Sequence, residues 1–548
     1  MAERSPLLSY RLRGGSLEEL EPGPGAPRRT SAFLGGVVPT VLSTGSVVLF
    51  LRLGFVVGQS GLYETLGMLA VAYTIIAMAV LSLCAISAND ALDSGGVYYM
   101  ISRALGPAFG GSVGITFFLA SVGGSALCVL GFVEAAVDIF GIPPGHSVGG
   151  TALQVLPRGY WHELLYGTLL LLVCLLMFLF GANIYAKAAL FFFLLIVTAL
   201  GTVFISFFAM KETVVPLEII NGNVSQLQNG TFTGFRLSTL ENNLKPEYEA
   251  DYTTGSRTSF SVVFAVLFSG CAGAMAGANL SGDLKDPSRS IPRGMISAVI
   301  FSCILYNLLS LLIGCSCDRT LLQNDYGFLR DISIWHPFVT TGMCSSTLSA
   351  AMNSLIGASR ILYALAKDDL FGRLLSPAKA TFRGRVPWVA ALLSWFPVQL
   401  ALLSGKLNTI AAVVTIFSLL VYATLHLACL ALERASAPDF RPTFRNLTWY
   451  TCVSGILGCG AMMFVINPVC AASSVAFLLI LLLALHCTSP SSGRGSVSQA
   501  PIFHQAPYWN ETAVVHQTIS GANHLRLVLQ IKDIPRALRY HQSEQKKN

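Results

Sequence analysis

Long apolar runs recur along this chain of 548 residues and leave it one class of fold. Each run has roughly the ~20 residues that an α-helix needs to cross the hydrocarbon core of a bilayer. Apolar residues make up 53% of the chain and charged residues only 11%, which excludes a soluble globular protein. We predict an all-α polytopic membrane protein whose twelve spans cover residues 37–58, 66–86, 112–140, 162–182, 186–209, 258–281, 295–315, 338–365, 387–404, 408–432, 449–466 and 468–487.

The placement of basic residues predicts the orientation of these spans. The polar segment 1–32 holds five arginines and lacks the form of a cleavable signal peptide, so we place it in the cytoplasm. The segments 283–294, 367–387 and 433–448 then also lie inside. They are rich in lysine and arginine, as the positive-inside rule requires.

The same orientation puts one long loop, residues 210–257, outside the cytoplasm. This loop contains two glycosylation sequons, Asn223-Val-Ser and Asn229-Gly-Thr. We therefore expect a transmembrane domain over residues 33–487 with a glycosylated outer loop, followed by a short cytoplasmic tail over residues 488–548.

Small residues interrupt two of the spans. From Ser269 to Ser281, inside the sixth span, five of thirteen residues are glycine or serine, which disfavours a continuous membrane helix. The first span has a similar stretch from Leu42 to Phe50, five spans earlier. Breaks at corresponding positions of two five-helix halves predict an inverted-repeat transporter with its sites between the halves. The alternative is that small residues only allow the helices to pack closely.

Motifs for catalysis or for bound cofactors do not occur in this sequence. There is no Walker loop for ATP and no clustering of histidine and cysteine at zinc spacing, so we predict neither an enzyme nor a cofactor or metal. The thirteen cysteines lie mostly inside apolar runs, where a thiol packs as a small hydrophobe. The net charge of +7 fits loops that face anionic membrane lipid rather than a surface for nucleic acid.

Three motifs resemble those of the cation-chloride cotransporters, solute carrier family 12. They are GANLSGDLKDPSRSIPRG at 277–294, FLRLGFVVGQSG at 50–61 and SGGVYYMISRALGPAFGG at 94–111, and the resemblance extends over about residues 33–487. It implies a fold of the amino acid-polyamine-organocation type, LeuT-like, with a five-plus-five inverted repeat and broken first and sixth helices. It also implies symport of chloride with a monovalent cation.

The resemblance implies two chloride sites. In the family, backbone amides at the first-helix break hold one chloride, and amides after the sixth-helix break hold another together with a tyrosine of the tenth helix. For Tyr422 the alternative is a ring packed in the helix with its hydroxyl on a carbonyl. The matching positions are Ser46, Val47 and Val48 for one chloride, and Gly273, Ala274, Met275 and Tyr422 for the other.

The positions that match the family's cation sites have lost their ligands. A cysteine thiol or an alanine methyl is a poor ligand for a hard cation, which prefers oxygen. The sodium-coupled members have two adjacent serines in the eighth helix, where this chain has Ser349 and then Ala350. The potassium ligands are replaced by Ser43 (with Thr44 beside it), Cys128, Ser269 and Ala272.

Two interpretations follow from these losses. The cation can be a hydrogen-bonding one such as ammonium, which needs acceptors rather than a rigid oxygen cage. Alternatively, the chain does not transport and instead regulates other cation-chloride cotransporters through a membrane interface. A carrier of amino acids or polyamines is a third possibility within the same fold.

Charged residues inside spans are costly and usually functional. Arg52 in the first span and Glu134 in the third match a pair that acts as the outer gate in the family. The alternative is a static pair that locks two helices together. Arg360 in the eighth span ends close to the cytoplasm, where we expect its side chain to reach towards the membrane surface.

The two ends of the chain predict where it resides and with what it assembles. Glu3 and the pair Leu7-Leu8 fit an acidic dileucine signal for endosomes and lysosomes, so we expect the plasma membrane, the endosomal and lysosomal membranes, or both. Family members usually continue into a large cytoplasmic domain. The short tail here predicts a spliced, shortened form. Expected partners are chloride, a monovalent cation and membrane lipid, with a second copy or other cotransporters as protein partners and no nucleic acid.

Overall fold

A bundle of packed α-helices forms the computed structural model of this chain. The structure describes residues 33–45, 47–87, 96–142, 155–180, 182–221, 224–251, 255–279, 287–381, 387–405, 407–434 and 449–488. The N-terminal segment with Glu3 and the dileucine pair, and the tail after residue 488, lie outside the described residues.

Seventeen α-helices and one β-hairpin follow one another within the described residues. They are α1 (Val38–Thr44), α2 (Leu53–Ser87), α3 (Gly96–Leu105), α4 (Pro107–Phe140), α5 (Tyr160–Leu179), α6 (Ala182–Ala209), β1 (Thr213–Asn221), β2 (Val224–Phe232), α7 (Leu237–Asn243), α8 (Phe260–Cys271), α9 (Ala276–Asn279), α10 (Pro287–Ser316), α11 (Arg319–Asn324), α12 (Phe328–Asp331), α13 (His336–Lys367), α14 (Trp388–Leu402), α15 (Leu407–Arg434), α16 (Trp449–Ile466) and α17 (Pro468–Thr488).

Every predicted span coincides with a helical stretch. Nine stretches of the described chain are long and apolar enough to cross a membrane, and the first, Gly35–Ser87, has 53 residues. It holds two of the predicted spans, because the backbone turns at Gly61 with φ of 66° and ψ of 168°. The predicted eighth and ninth spans correspond to α13, with 32 residues, and α14, with 15. The all-α, multi-pass membrane fold is confirmed.

The first span is interrupted where the sequence predicts it. Helix α1 ends at Thr44, and the amide of Gly45 closes it by donating to the carbonyl of Val41 at 2.8 Å. Helical structure resumes at Val47 and passes through a π-helical turn, Val48–Arg52, into α2. Because the first amides of a helix have no partner within it, this restart is a natural position for an anion.

The sixth span differs from the prediction of an open break. It continues from α8 through a 3₁₀ turn, Ala272–Met275, into the short helix α9. The small residues of this stretch permit the tighter winding of a 3₁₀ turn, which still pairs backbone groups three residues apart. The interruption is therefore a local change of winding rather than an unwound segment.

Three glycines bring the sixth span against the first. A Cβ added to Gly270 would lie 2.5 Å from Cβ of Val48, and one added to Gly277 would lie 2.5 Å from Oγ1 of Thr40. At Gly273 an added Cβ would lie 2.7 Å from both the carbonyl carbon and the carbonyl oxygen of Ser43. The three glycines thus form one face of the sixth span, and the two interruptions touch each other.

The outer loop contains structure that the sequence analysis did not predict. Strands β1 and β2 pair as an antiparallel hairpin in which Asn229 lies opposite Pro216. Asn229 is exposed, and Asn223 lies outside the described residues. Later residues of the loop are fastened to α2, because Oε1 of Gln59 accepts hydrogen bonds from the amide of Glu249 and from the hydroxyl of Thr258, each at 2.8 Å. All thirteen cysteine thiols are free.

The contact between the two interruptions makes a first prediction. Gly273→Ala should lower the melting temperature of the detergent-solubilised protein, because the new methyl group meets backbone atoms of Ser43 that cannot turn aside. Overpacking of this kind usually costs about 1–3 kcal/mol. The matched control is Gly201→Ala in α6, where an added Cβ meets nothing within 4 Å. Equal melting temperatures for the two variants would show that the spans separate easily at Gly273.

Candidate functional site

The predicted chloride position at the first interruption lies in the core of the bundle. Val47 and Val48 are fully buried, and Ser46 lies outside the described residues. Val47 packs against Gly131 of α4, where an added Cβ would lie 2.6 Å from its methyl groups. A ligand on the amides of this turn would therefore be enclosed by the first, third and sixth spans.

At the second predicted chloride position, the tyrosine is engaged with the protein. Tyr422 in α15 is 2% exposed, and its hydroxyl donates to the carbonyl oxygen of Ala272 at 2.6 Å. The structure therefore shows the alternative considered for Tyr422, in which the hydroxyl is bound to a carbonyl. That carbonyl opens the 3₁₀ turn that contains Gly273, Ala274 and Met275, so Tyr422 lies at the predicted position even though its proton is in use.

The hydroxyl groups at the cation positions donate to their own helices. Thr44 donates to the carbonyl of Thr40 at 3.0 Å, Ser269 to that of Val266 at 2.7 Å, and Ser349 to that of Ser346 at 3.0 Å. Each oxygen keeps lone pairs with which it can accept a hydrogen bond or contact a cation.

The remaining cation positions contribute less oxygen. Ser43 contacts Gly273, Cys128 is buried with a free thiol, and Ala272 contributes its carbonyl, which already accepts from Tyr422. The hydroxyl of Tyr306 donates to the carbonyl of Thr44 at 3.0 Å and holds the end of α1. At these positions, the side chains of Cys128 and Ala272 carry no oxygen, and the three hydroxyl groups described above donate within their own helices.

The predicted gate residues form an ion pair in which Arg52 is buried and the side chain of Glu134 is 29% exposed. Arg52 is 1% exposed, and its Nη2 lies 2.8 Å and 2.6 Å from the two carboxylate oxygens of Glu134. Its guanidinium carbon also lies 3.5 Å from the centre of the Tyr326 ring, and its Nε donates to Oδ1 of Asn408 at 3.4 Å. The pair joins the first span to the third, as the sequence analysis predicted.

Three further residues complete this cluster and were missed by the sequence analysis. Asp251 of the outer loop accepts hydrogen bonds from the hydroxyl of Tyr326 at 2.6 Å and from Nδ2 of Asn408 at 2.8 Å. Burial raises the pKa of Tyr326, so its phenol remains a donor at neutral pH. Asn408, a polar residue at the start of an apolar run, was a signal that could have been noticed. Asp251 and Tyr326 lie in loops, where hydropathy gives no such signal.

A second group of charges lies next to this cluster, in the segment around Tyr326 between α11 and α13. Arg330 donates to Asp331 from Nε at 2.7 Å and to Asp138, at the end of α4, from Nη1 at 2.8 Å. Asp325 accepts from the amide of Gly327 at 2.7 Å, and burial together with the neighbouring carboxylates raises its pKa. These contacts tie the loop around Tyr326 to the third span.

The side chain of Arg360 was expected to reach towards the membrane surface. Instead, it contacts the end of the sixth span. Its Nη1 is 3.3 Å from the carbonyl oxygen of Asn279, the last residue of α9. A cation at the carboxyl end of a helix is favourable. Arg360 therefore connects the eighth span to the end of the sixth.

Comparison with known proteins places this geometry in a family. The amino acid permease family model matches residues 35–518. Solute carrier family 12 member 9 is 52% identical over 518 residues in Xenopus laevis and over 517 in Homo sapiens; the two alignments cover 92% of this chain and 57% and 56% of those proteins. The vacuolar cation-chloride cotransporter 1 of Saccharomyces cerevisiae is 32% identical over 474 residues, 86% of this chain and 41% of that protein.

The chain thus spans a little over half of the length of the animal relatives it matches, at 57% and 56%. The resemblance to solute carrier family 12 that the motifs carry is confirmed by these relatives. The chain belongs to the amino acid permease family, a family of multi-pass membrane transporters and not of enzymes.

Proposed function

We propose that this chain is a secondary-active transporter that carries chloride together with a monovalent cation. The observation that supports this most directly is the contact between the two interrupted spans at Ser43 and Gly273. The ion pair of Arg52 and Glu134 lies eight residues further along the first span than Thr44. Ion sites beneath a closed gate suit a carrier that exposes them to one side at a time.

The ion pair is the proposed outer gate. Removing one partner of a fully buried pair leaves an uncompensated charge, which typically costs about 3–5 kcal/mol, and the cost here is smaller because the side chain of Glu134 is 29% exposed. A gate of this kind opens only when both charges gain other partners, such as water. Asn408 accepts a hydrogen bond from Arg52 and donates one to Asp251, which places alternative partners near Arg52 and couples the outer loop to the gate.

The proposed anion is chloride, bound by the amides at Val47 and Val48 and near Gly273 to Met275. Backbone donors do not depend on side-chain identity, so the site tolerates the differences between this chain and its relatives. For chloride to bind at the second position, the 3₁₀ turn must release amides that it now pairs, and the hydroxyl of Tyr422 must turn from the carbonyl of Ala272 to the anion.

Tyr422→Phe should weaken the dependence of transport on chloride, because it removes a hydrogen-bond donor to a charged group, worth about 1.5–3 kcal/mol. The apparent chloride affinity measured by radiolabelled chloride flux in liposomes should fall by roughly one to two orders of magnitude. The control is Tyr185→Phe, a buried tyrosine that donates to Asn353 and matches no ion position. Unchanged chloride affinity in Tyr422→Phe would remove this residue from the site.

The proposed cation is one that donates hydrogen bonds, such as ammonium. Thr44, Ser269 and Ser349 use their protons on backbone carbonyls and keep only acceptor capacity, which suits four N–H donors. Cys128 and Ala272 offer too little side-chain oxygen for potassium or sodium. The shortage of side-chain oxygen at these positions also favours the alternative function, a partner of other cotransporters that does not transport.

Flux measurements in liposomes with each cation in turn should show ammonium supporting chloride uptake better than sodium, potassium or rubidium. Ser43→Asn combined with Cys128→Tyr should move the preference towards potassium, because both changes add oxygen at positions that bind potassium in the relatives. Ser43→Asn alone is the control, and the folding of each variant is verified by gel filtration. Strong potassium-chloride flux in the unmodified chain would refute the proposed cation. Absence of chloride uptake with every cation, in protein that gel filtration shows to be folded, would favour the regulatory partner.

The proposed topology has both ends in the cytoplasm and the 210–257 loop outside, modified at Asn223, Asn229 or both. Asn229 is exposed on the hairpin, which leaves it accessible. The acidic dileucine signal supports endosomal and lysosomal membranes in addition to the plasma membrane as the location. A second copy or another cotransporter remains a proposed protein partner.

The topology is tested by glycosylation in cells. Replacing both asparagines with glutamine should increase mobility on a gel as much as glycosidase treatment does, because the added sugars are lost in both cases. Asn510→Gln is the matched control, since the sequon Asn510-Glu-Thr lies in the tail assigned to the cytoplasm. A mobility change in the control alone would reverse the orientation.

A further inference from the structure

Six hydrogen-bonding or ionisable side chains of the tenth span, α15, lie on one face of the helix. At about 100° per residue, they fall within roughly 60° of one another around the helix axis. Such a stripe inside an apolar span is costly in a membrane unless each group has a partner or a function. The six residues are Asn408, Thr415, Tyr422, His426, Cys429 and Glu433.

The first three of these residues have partners in the transport core. Asn408 donates to Asp251 beside the gate, Thr415 donates to the carbonyl of Ala265 at 2.7 Å, and Tyr422 donates to that of Ala272. The stripe therefore follows the sixth span from the gate to the 3₁₀ turn. His426 comes next, four residues after Tyr422 and so about one helical turn away.

His426 is fully buried between three spans. Its Nδ1 lies 2.9 Å from the hydroxyl of Ser82 in α2, and its Nε2 has no hydrogen-bond partner within the described part of the chain. The ring fits against α16 only because residue 455 is glycine, where an added Cβ would lie 2.5 Å from Nε2. The site is thus a close-fitting slot with one hydrogen-bonding group and one unpartnered nitrogen.

Other ionisable groups lie near this slot on the same helix and on its neighbour. Cys429, one turn further along α15, and Cys452 of α16 are both fully buried. Glu433 follows one turn later, and its Oε2 is also buried without a partner among the residues described. Ser82 is the polar group that α2 directs at the ring. The stripe therefore continues from His426 towards the end of α15 that we place in the cytoplasm.

The geometry suits the neutral form of the imidazole. A neutral ring can donate from Nδ1 to Ser82 and keep a bare lone pair at Nε2 beside Gly455. A protonated ring has a second N–H at Nε2, and this structure offers it no acceptor. Burial of an unpaired, charged donor is strongly unfavourable. Proton binding at His426 thus requires a rearrangement of α15 against α16.

We propose that His426 is a proton-binding group of the transport domain, neutral in this conformation and protonated in another conformation of the transport cycle. A group whose proton affinity differs between two conformations couples pH to the equilibrium between them. Histidine is the side chain suited to do so between pH 5 and 8. This coupling rests on the proposed chloride transport. A proton binds to a base such as imidazole and does not need the side-chain oxygen ligands that a hard cation requires.

The test measures chloride uptake into liposomes containing the purified chain, with the same pH on both sides, at steps from pH 5.5 to 8. The unmodified chain should change its rate by at least about fivefold across this range, the lower end of ordinary coupling between two sites. His426→Asn, which can form hydrogen bonds but cannot titrate, should flatten the profile while retaining uptake. The matched control, His486→Asn at the exposed end of α17, should keep the profile of the unmodified chain.

Ser82→Ala provides a second variant that leaves His426 able to titrate. Losing the hydroxyl removes the acceptor for Nδ1–H and penalises the charged ring more than the neutral one, so the midpoint of the profile should move to lower pH. Melting temperatures over the same pH range give a reading that does not depend on transport. They should depend on pH less in His426→Asn than in the unmodified chain.

The outcomes distinguish proton binding at His426 from the proposed chloride transport. Chloride uptake with the same pH profile in His426→Asn as in the unmodified chain would overturn the role of His426 and leave chloride transport intact. Absence of chloride uptake at every pH and with every cation would overturn the proposed transport. In that case, equal pH dependence of melting in the two proteins would also overturn proton binding at His426.

Discussion

The close approach of the sixth span to the first is the contact on which the rest of this structure depends. Backbone atoms meet at Gly273 and Ser43 because a glycine leaves no side chain between them. Association of helices in a membrane relies on such packing, since lipid is as apolar as the side chains it would replace. The packing and transport interpretations of the small residues are therefore compatible. The same glycines that permit contact also bring the two interruptions together.

An ion pair closes one end of this contact region. Arg52 is surrounded by Glu134, Tyr326 and Asn408, and the network reaches Asp251 of the outer loop. Charges at this depth are stable only with partners, so movement of any one member requires new partners for the others. The network thus makes the position of the outer loop and the state of the first span interdependent.

Hydroxyl groups around the interruptions mostly donate to backbone carbonyls. Tyr422 and Thr415 reach across to the sixth span, whereas Thr44, Ser269 and Ser349 bond within their own helices. What remains is acceptor capacity from side chains and donor capacity from backbone amides. The proposed anion positions use backbone amides, which do not depend on side-chain identity, whereas the positions that match the family's cation ligands depend on side chains that differ in this chain.

The sequence by itself determined the all-α, multi-pass membrane fold, the two stretches where small residues interrupt the helices, and the membership of the family. Hydropathy and glycine content are local properties, and a helix that crosses a bilayer must satisfy its own backbone groups. The sequence also placed Arg52 and Glu134 correctly as partners, because charges are rare in apolar runs. The predicted ion positions and the topology remain predictions.

Only the tertiary structure decided which groups meet. Arg52 and Asn408 are 356 residues apart, and the slot of His426 needs Ser82 from one span and Gly455 from another. It also decided that the sixth span tightens into a 3₁₀ turn and that Tyr422 holds the carbonyl of Ala272. These outcomes depend on how the helices are rotated and how deeply they pack, and close packing of side chains from distant spans sets both.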